Sequence, residues 1–216
     1  MVGPLQASAP RSIAGLYALT PERSDTDAMT RCVAAALSGG ATAIQYRNKT
    51  ATPKLRLRQA LALRELCAGQ GATFIINDDI DLARAVDADG VHLGRGDATI
   101  ALARARLRPT ALVGASCYDS LELAEAAVAD GADYIAFGSF FPSSTKPDAV
   151  RAGLPLLSTA KARWKVPVVA IGGITPDNAR ALIEAGADAV AVISALFDTA
   201  DVTAAARSFV ALFNQR

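Results

Sequence analysis

The 216-residue sequence predicts an α/β protein of one domain, a closed (β/α)8 barrel of the TIM type. Three observations point there. Eight short apolar runs recur along the chain, helical patterns separate them, and an internal echo marks the junctions. The echo reads "GGATAIQ" (39–45), "QGATFII" (70–76), "DADGVHLG" (87–94), "DGADYIAFG" (130–138) and "AGADAVAVIS" (185–194). Each copy has Gly or another small residue, then Ala with Thr or Asp, then apolar residues. Physically, that is a helix stopped by a left-handed residue and followed at once by a buried strand.

In order, the strands fall at 15–20, 41–47, 73–78, 90–94, 112–117, 134–139, 166–172 and 189–195. Their near-continuous apolar character is that of parallel strands covered on both faces. Between them, "TPKLRLRQALALRELCAGQ" (52–70), "SLELAEAAVADG" (120–131) and "TPDNARALIEAG" (175–186) place apolar residues three and four apart. Thr175-Pro176 is an N-cap with a first-turn proline, and Ser120 with Glu122 opens its helix in a similar way. No long polar linker divides the chain, and eight βα units fit near the ~200-residue lower end for such barrels. An open doubly wound sheet is the alternative. The first strand is not followed by G-x-G-x-x-G, which weakens that alternative.

With 51% hydrophobic residues the chain can bury one sizeable core, and a net charge of +1 argues against nucleic-acid or membrane-surface binding. Its longest apolar stretches, such as "VPVVAIGGI" (166–174), fall far short of the ~20 residues of a membrane helix. The opening "MVGPLQASAPRS" lacks the apolar core of a signal peptide, so residues 1–14 are expected to be a disordered tail ahead of a 15–216 barrel. Cys32, Cys67 and Cys117 are odd in number and lie in apolar contexts, which suits reduced thiols in a cytoplasmic protein.

Chemistry in this fold belongs at the C-terminal ends of the strands. Gln45, Arg47 and Lys49 alternate after strand two, on the face opposite Ile44 and Tyr46. Asn77 and Asp78 leave strand three, Asp97 follows strand four, and Ser116 ends strand five. Strand six leads into "SFFPSSTK" (139–146), with Ser143, Thr145 and Lys146; Gly172-Gly173 and Ser194 close the set. Arg47, Lys49 and Lys146 converging on one mouth require anions, because an unpaired buried charge costs several kcal/mol. Asp78 and Asp97 could satisfy them as a structural ion network. The surplus of hydroxyls and amides favours instead a phosphorylated ligand, whose oxygens each accept several hydrogen bonds.

The two aspartates suit hard oxygen ligation of Mg²⁺ better than an acid/base pair, which would need apolar walls. Asp79 and Asp81 read as first-turn helix residues. "IGGITPDN" is a second anion site or a plain tight turn, and Ser194 one strand away supports the former. His92, the sole histidine, reads as a satisfied interior residue, and Trp164, Phe140 and Phe141 as packing. The cysteines have no base nearby in sequence, and a Ser/Thr-rich loop is a poor place for Lys146 as a Schiff-base lysine.

"LYALT", "GGATAIQYRNK", "INDDIDLA", "ADGVHLGRGD", "GASCY", "GADYIAFGSFFPSSTK", "VPVVAIGGITPDNA" and "GADAVAVISAL", in that order, resemble the thiamine-phosphate synthase family from about residue 15 onward. The resemblance implies an Mg²⁺-dependent transferase joining a pyrimidine diphosphate to a thiazole phosphate, with pyrophosphate released from a pyrimidine carbocation. It implies that Gln45, Arg47, Lys49 and Asn77 hold the diphosphate substrate, and that Asp78 and Asp97 bind Mg²⁺. Ser116 and Lys146 would complete the pyrophosphate grip. Ser143 and Thr145 would reach the thiazole phosphate, which also rests on Gly173 and the Ile193–Ser194 segment. Arg47, Lys49, Ser116 and Lys146 are thus the catalytic set. The partners are two small molecules, with no nucleic acid and no membrane; a homodimer is compatible with the chain.

The chain departs from the family's usual pattern at Ser143 (usually Thr), Arg95 (Gln), Asn48 (acidic) and Tyr118 (often His). The related thiazole tautomerase carries histidine where Tyr118 stands, and its absence here favours the synthase.

Overall fold

The computed structural model describes residues 12–142 and 151–215. Along the chain run β1 (Gly15–Leu19), α1 (Thr26–Ser38), β2 (Ala43–Tyr46), α2 (Pro53–Gly69), β3 (Thr73–Asn77), α3 (Ile80–Ala85), β4 (Gly90–Leu93) and α4 (Ile100–Arg106). They continue as β5 (Leu112–Tyr118), α5 (Leu121–Ala129), β6 (Tyr134–Phe137), α6 (Pro155–Arg163), β7 (Val168–Ile171), α7 (Pro176–Glu184), β8 (Ala189–Val192), α8 (Ser194–Phe197) and α9 (Val202–Phe213). Every strand pairs in parallel with the next, and β8 returns to β1. The closed barrel, not the open sheet, is therefore the fold. Each expected strand is present and shifted by at most three residues at either end.

Strand alternation sorts the core into two layers. Tyr17, Leu19, Ala43, Ile75, Tyr134, Ala136, Val169, Ala189 and Ala191 fill the barrel interior. Their neighbours Leu16, Ile44, Phe74, Val91, Ile135 and Val190 face out, against Met29, Leu63, Leu157, Leu182 and Phe209 of the helices. Each large side chain buried this way contributes about 1.5–3 kcal/mol. Interior volume is matched locally: a Cβ at Gly114 would lie 2.0 Å from the Tyr134 ring, so glycine makes room for that phenol. Ile13, in the stretch expected to be a loose tail, is 1% exposed in this inner layer. An isoleucine able to plug the lower end of the barrel is held there by the apolar surface it covers.

The echo now has a structural cause. Each copy turns at a left-handed residue, glycine at 40, 71, 131 and 186 and Asp87 in the third copy. The polar residue that follows is an anchor. Asp89 accepts from the Phe74 N–H (2.9 Å), Asp133 from Val113 (2.7 Å) and Asp188 from Val168 (2.8 Å), while each aspartate's own N–H donates back to that residue's carbonyl. A cation faces each one: Arg108 on Asp89 (3.3 Å), Arg104 on Asp133, and Lys161 on Asp188 (2.7 Å). The lower rim is thus a set of reciprocal clamps that fix strand register.

Helix starts follow the expected chemistry. Ser120 Oγ accepts from Leu123 N–H (3.1 Å) and Thr52 caps α2. Asp79 caps α3 through the Leu82 N–H (2.9 Å), and Asp81 lies in that helix's first turn. Thr175 precedes Pro176, and its N–H donates to Asn178 Oδ1 (2.9 Å). The sulfurs of Cys32, Cys67 and Cys117 form no disulfide, and burial raises the Cys32 pKa and pushes the Cys117 thiol up to about 12, which disfavours the nucleophilic thiolate at both.

Candidate active site

A cavity of about 580 Å³ opens at the C-terminal ends of the strands. Gln45, Arg47, Asn77 and Ser116 line one side of it; Gly172, Gly173, Ile193 and Ser194 line the other. The alternation read from strand two holds for Gln45 and Arg47, which reach the cavity while Ile44 and Tyr46 pack outward; Lys49, Asp78 and Asp97 are not among the residues that line it. Thr20 fixes the exit of that strand, accepting from the Arg47 N–H (2.9 Å) and donating to its carbonyl (3.1 Å). The Arg47 guanidinium meets Glu22 at 2.8 Å and Lys49 meets Asp78 at 3.1 Å.

Asp78 occupies a left-handed backbone conformation (φ 64°), a costly one for a residue with a Cβ. Its N–H donates to the His92 carbonyl (2.9 Å), which holds the turn against β4. Asp97 accepts from the Gly94 N–H (2.7 Å), and its carboxyl lies within hydrogen-bonding reach of Asp78. Partial burial, and then this carboxyl neighbour, raise the Asp97 pKa. Among the described residues no group of three or more His, Cys, Asp or Glu could hold a metal ion; Asp78 and Asp97 are two neighbouring carboxyls at this end of the barrel, and Asp119 lines the cavity.

Ser116 sits where β5 shifts register against β6, with Cys117 packed outward and Tyr118 at φ 53°. The Tyr118 hydroxyl accepts from the Arg95 N–H (3.1 Å), and the Arg95 guanidinium lies 5.1 Å above the ring. Asn48 is buried and donates to the Arg23 carbonyl and to Gln59 Oε1, so at this position an amide suits its carbonyl neighbours better than a carboxylate would. Gly172 and Gly173 are needed for close approach: a Cβ would come within 2.1 Å of Ser139 Oγ or 2.2 Å of the Pro142 carbonyl. The turn and the neighbouring loop therefore pack as one wall. Phe140 is buried and Phe141 and Trp164 pack on the outer core, as expected. Ser143, Thr145 and Lys146 lie outside the described residues.

His92 is satisfied, as its sequence context suggested, yet it also lines the cavity. Nδ1 meets the Tyr134 hydroxyl (3.1 Å) and Nε2 meets Ser116 Oγ (2.9 Å). Burial lowers its pKa to about 4, so the ring is neutral at pH 7. Sequence reasoning missed Glu22, the phenols of Tyr17 and Tyr134, and Asn178, whose Nδ2 donates to the Gly173 carbonyl (3.1 Å). Inward alternation marks both tyrosines; nothing periodic marks Glu22.

Known proteins match across this whole frame. The family model for thiamine monophosphate synthase matches residues 16–196. A thiamine-phosphate synthase of Methylobacillus flagellatus is 55% identical over 202 residues, covering 94% of this chain and 96% of that one. Its counterpart from Chromobacterium violaceum is 53% identical over 207 residues, covering 96% and 100%. The solved thiamine phosphate pyrophosphorylase of Pyrococcus furiosus superimposes with a TM-score of 0.84 at 40% identity, covering 94% of this chain and 96% of that one. On this agreement of sequence and architecture, the chain belongs to the thiamine-phosphate synthase family of transferases.

Proposed function

We propose that the protein joins 4-amino-2-methyl-5-hydroxymethylpyrimidine diphosphate to 4-methyl-5-(2-phosphoethyl)thiazole, releasing pyrophosphate and forming thiamine phosphate. The observation that carries the reading is the Asp78–Asp97 pair beside Lys49, two neighbouring carboxyls whose mutual repulsion a bound multivalent cation would relieve. Their hard oxygens suit Mg²⁺, with Asp78 and Asp97 as the residues that would hold it. When bound, Mg²⁺ would neutralise charge on the diphosphate.

The protein's own groups handle the remainder. The C–O bond between the pyrimidine methylene and the diphosphate breaks first, with both electrons leaving on oxygen. Arg47, Lys49 and Ser116, with Lys146 by the family resemblance, would stabilise that growing negative charge, where a preorganised donor is worth about 10²–10³ in rate. Gln45 and Asn77 hold the pyrimidine. The thiazole nitrogen then supplies the electron pair for the new C–N bond, so no enzymic nucleophile is needed. By the family resemblance Ser143 and Thr145 would bind the thiazole phosphate together with the backbone of Gly173 and of Ile193–Ser194, holding the nitrogen at bonding distance from the short-lived cation. No helix among the described residues is long and apolar enough to cross a membrane, and a cytoplasmic setting suits three cysteines that form no disulfide.

The test is thiamine phosphate formation from the two purified precursors, with Mg²⁺ and then with EDTA. Metal-dependent product is expected. Product that persists in EDTA would remove the metal role of Asp78 and Asp97, and no product from folded protein would overturn the reaction.

A further inference from the structure

A continuous hydrogen-bonded chain crosses the floor of the cavity through five strands. Gln45 Nε2 meets the Tyr17 hydroxyl (2.7 Å), which meets the Tyr134 hydroxyl (3.0 Å). Tyr134 meets His92 Nδ1 (3.1 Å), and His92 Nε2 meets Ser116 Oγ (2.9 Å). Gln45 and Ser116, the two ends, both line the cavity; Tyr134 in the middle is fully buried below it.

Proton counting allows this chain only two arrangements. Each phenol, the neutral imidazole and the serine carry one proton apiece, and each link holds one proton. A mixed pattern would set two protons against each other in one link, leave another link with none, or strand a phenol proton in the interior, which is costly for a buried donor such as Tyr134. In the first arrangement every donor points from Gln45 towards Ser116; in the second every donor points back. The Gln45 amide nitrogen faces Tyr17, which makes Tyr17 an acceptor there and sends its own proton to Tyr134. Tyr134 then donates to Nδ1, the ring proton sits on Nε2, and the Ser116 oxygen accepts it. The serine's own proton remains for the cavity.

The geometry points to a one-way relay from Gln45 to Ser116 that fixes His92 as its Nε2–H tautomer and makes the Ser116 hydroxyl an obligate donor to the bound anion. Tyr17, Tyr134 and His92 are thereby positioning residues, acting through Ser116. The ligand chemistry agrees in sign, since diphosphate oxygens near neutral pH accept and do not donate. The reverse arrangement would commit the serine proton to His92 and turn lone pairs towards an anion. The inference rests on the proposed reaction only for the identity of that anion. Because charge on the leaving diphosphate grows in the transition state, losing the relay lowers kcat more than it raises KM.

The chain's single histidine makes the tautomer directly readable. In full-length protein labelled with ¹⁵N-histidine, multiple-bond ¹⁵N–¹H correlation at pH 7.5 should show Nδ1 unprotonated and Nε2 protonated, with and without Mg²⁺ and inorganic pyrophosphate. An Nδ1–H ring, or a ring averaging both forms when pyrophosphate is bound, overturns the relay. Tyr134→Phe keeps the ring and breaks the middle link; kcat should fall roughly tenfold to a hundredfold with KM within a few-fold. His92→Gln carries an acceptor and a donor on one carbon, as the imidazole does, and should recover most of the activity that His92→Leu loses. Equal loss in both, from variants that fold, counts against the relay. Product formation by the unaltered protein keeps the two ideas apart. Product with an Nδ1–H ring sinks the relay alone, whereas an Nε2–H ring without product sinks the reaction alone.

Discussion

The two ends of this barrel use charge in opposite ways. At the lower end, where strands begin, Asp89, Asp133 and Asp188 each accept a backbone N–H from the preceding strand and face a cation. Each of these charges has a protein partner, and the arrangement repeats with the strands. At the upper end Asp78 and Asp97 face each other, and Asp78 and Tyr118 hold left-handed backbone despite their side chains, whereas the lower turns place that conformation mostly on glycine, with Asp87 the exception. Like charges in contact and costly backbone conformations persist only where the surrounding fold enforces them. The lower rim therefore sets register and stability, while the upper rim keeps its polar groups available to ligands.

Paired substitutions break that comparison most sharply. Under the proposed reaction, in which Asp97 would hold the Mg²⁺, Asp97→Ala should lower kcat by about 10²–10³ with little change in Tm, because it also relieves a like-charge contact. Asp89→Ala should do the reverse. It strips a 3%-exposed carboxylate from the Phe74 N–H and from Arg108, at a cost of about 3–5 kcal/mol. For a chain of this size that lowers Tm by roughly 10 °C, with kcat per folded molecule unchanged. Thermal melts beside turnover measurements decide it. Asp97→Ala that melts early, or stable Asp89→Ala, would dissolve the division of labour.

The lower rim and the strands were legible because they repeat. A left-handed turn residue, Ala, then Thr or Asp, then an apolar run is a local pattern that recurs. Gln45, Asn77 and Ser116 were legible too, since alternation fixes which strand residues face inward once the strands are placed. The rest depends on closure. Tyr17 and Tyr134 lie within apolar strand runs, and their hydroxyls acquire a role only when the barrel brings residues 117 apart in sequence to 3.0 Å. Glu22 pairs with Arg47 from a loop without periodicity, and Asn178 belongs by sequence to a helix start yet turns back onto Gly173. Ile13 looked like tail because one apolar residue among small and polar ones carries no periodic signal.

A smaller effect sharpens the comparison through pH. His92 is held neutral by burial, with a folded pKa of about 4 against an ordinary ~6.5. As pH falls, the unfolded chain takes up the proton first. The stability contribution is therefore complete above pH ~6.5, declines through the window, and is lost by about pH 4, some ~3 kcal/mol in all. Denaturant midpoints at pH 7.5 and 4.5 should show that loss in the unaltered protein and a smaller one in His92→Gln. Equal losses in both would assign the acid sensitivity to the carboxylates at the two rims.

The smallest effect tests whether burial, and not ion pairing as such, separates the lower clamps from ordinary surface charge. Arg106 meets Asp81 at 2.7 Å, with the two side chains 38% and 62% exposed. Solvent screens such a pair, and ordering two long side chains offsets most of what remains, so Arg106→Ala should cost at most about 1 kcal/mol. Tm should move by no more than about 4 °C and turnover not at all. A loss as large as that of Asp89→Ala would mean that charge pairing alone holds the barrel together. The backbone N–H that Asp89 accepts, which Asp81 has no counterpart for in its link to Arg106, would then no longer explain why the clamps matter.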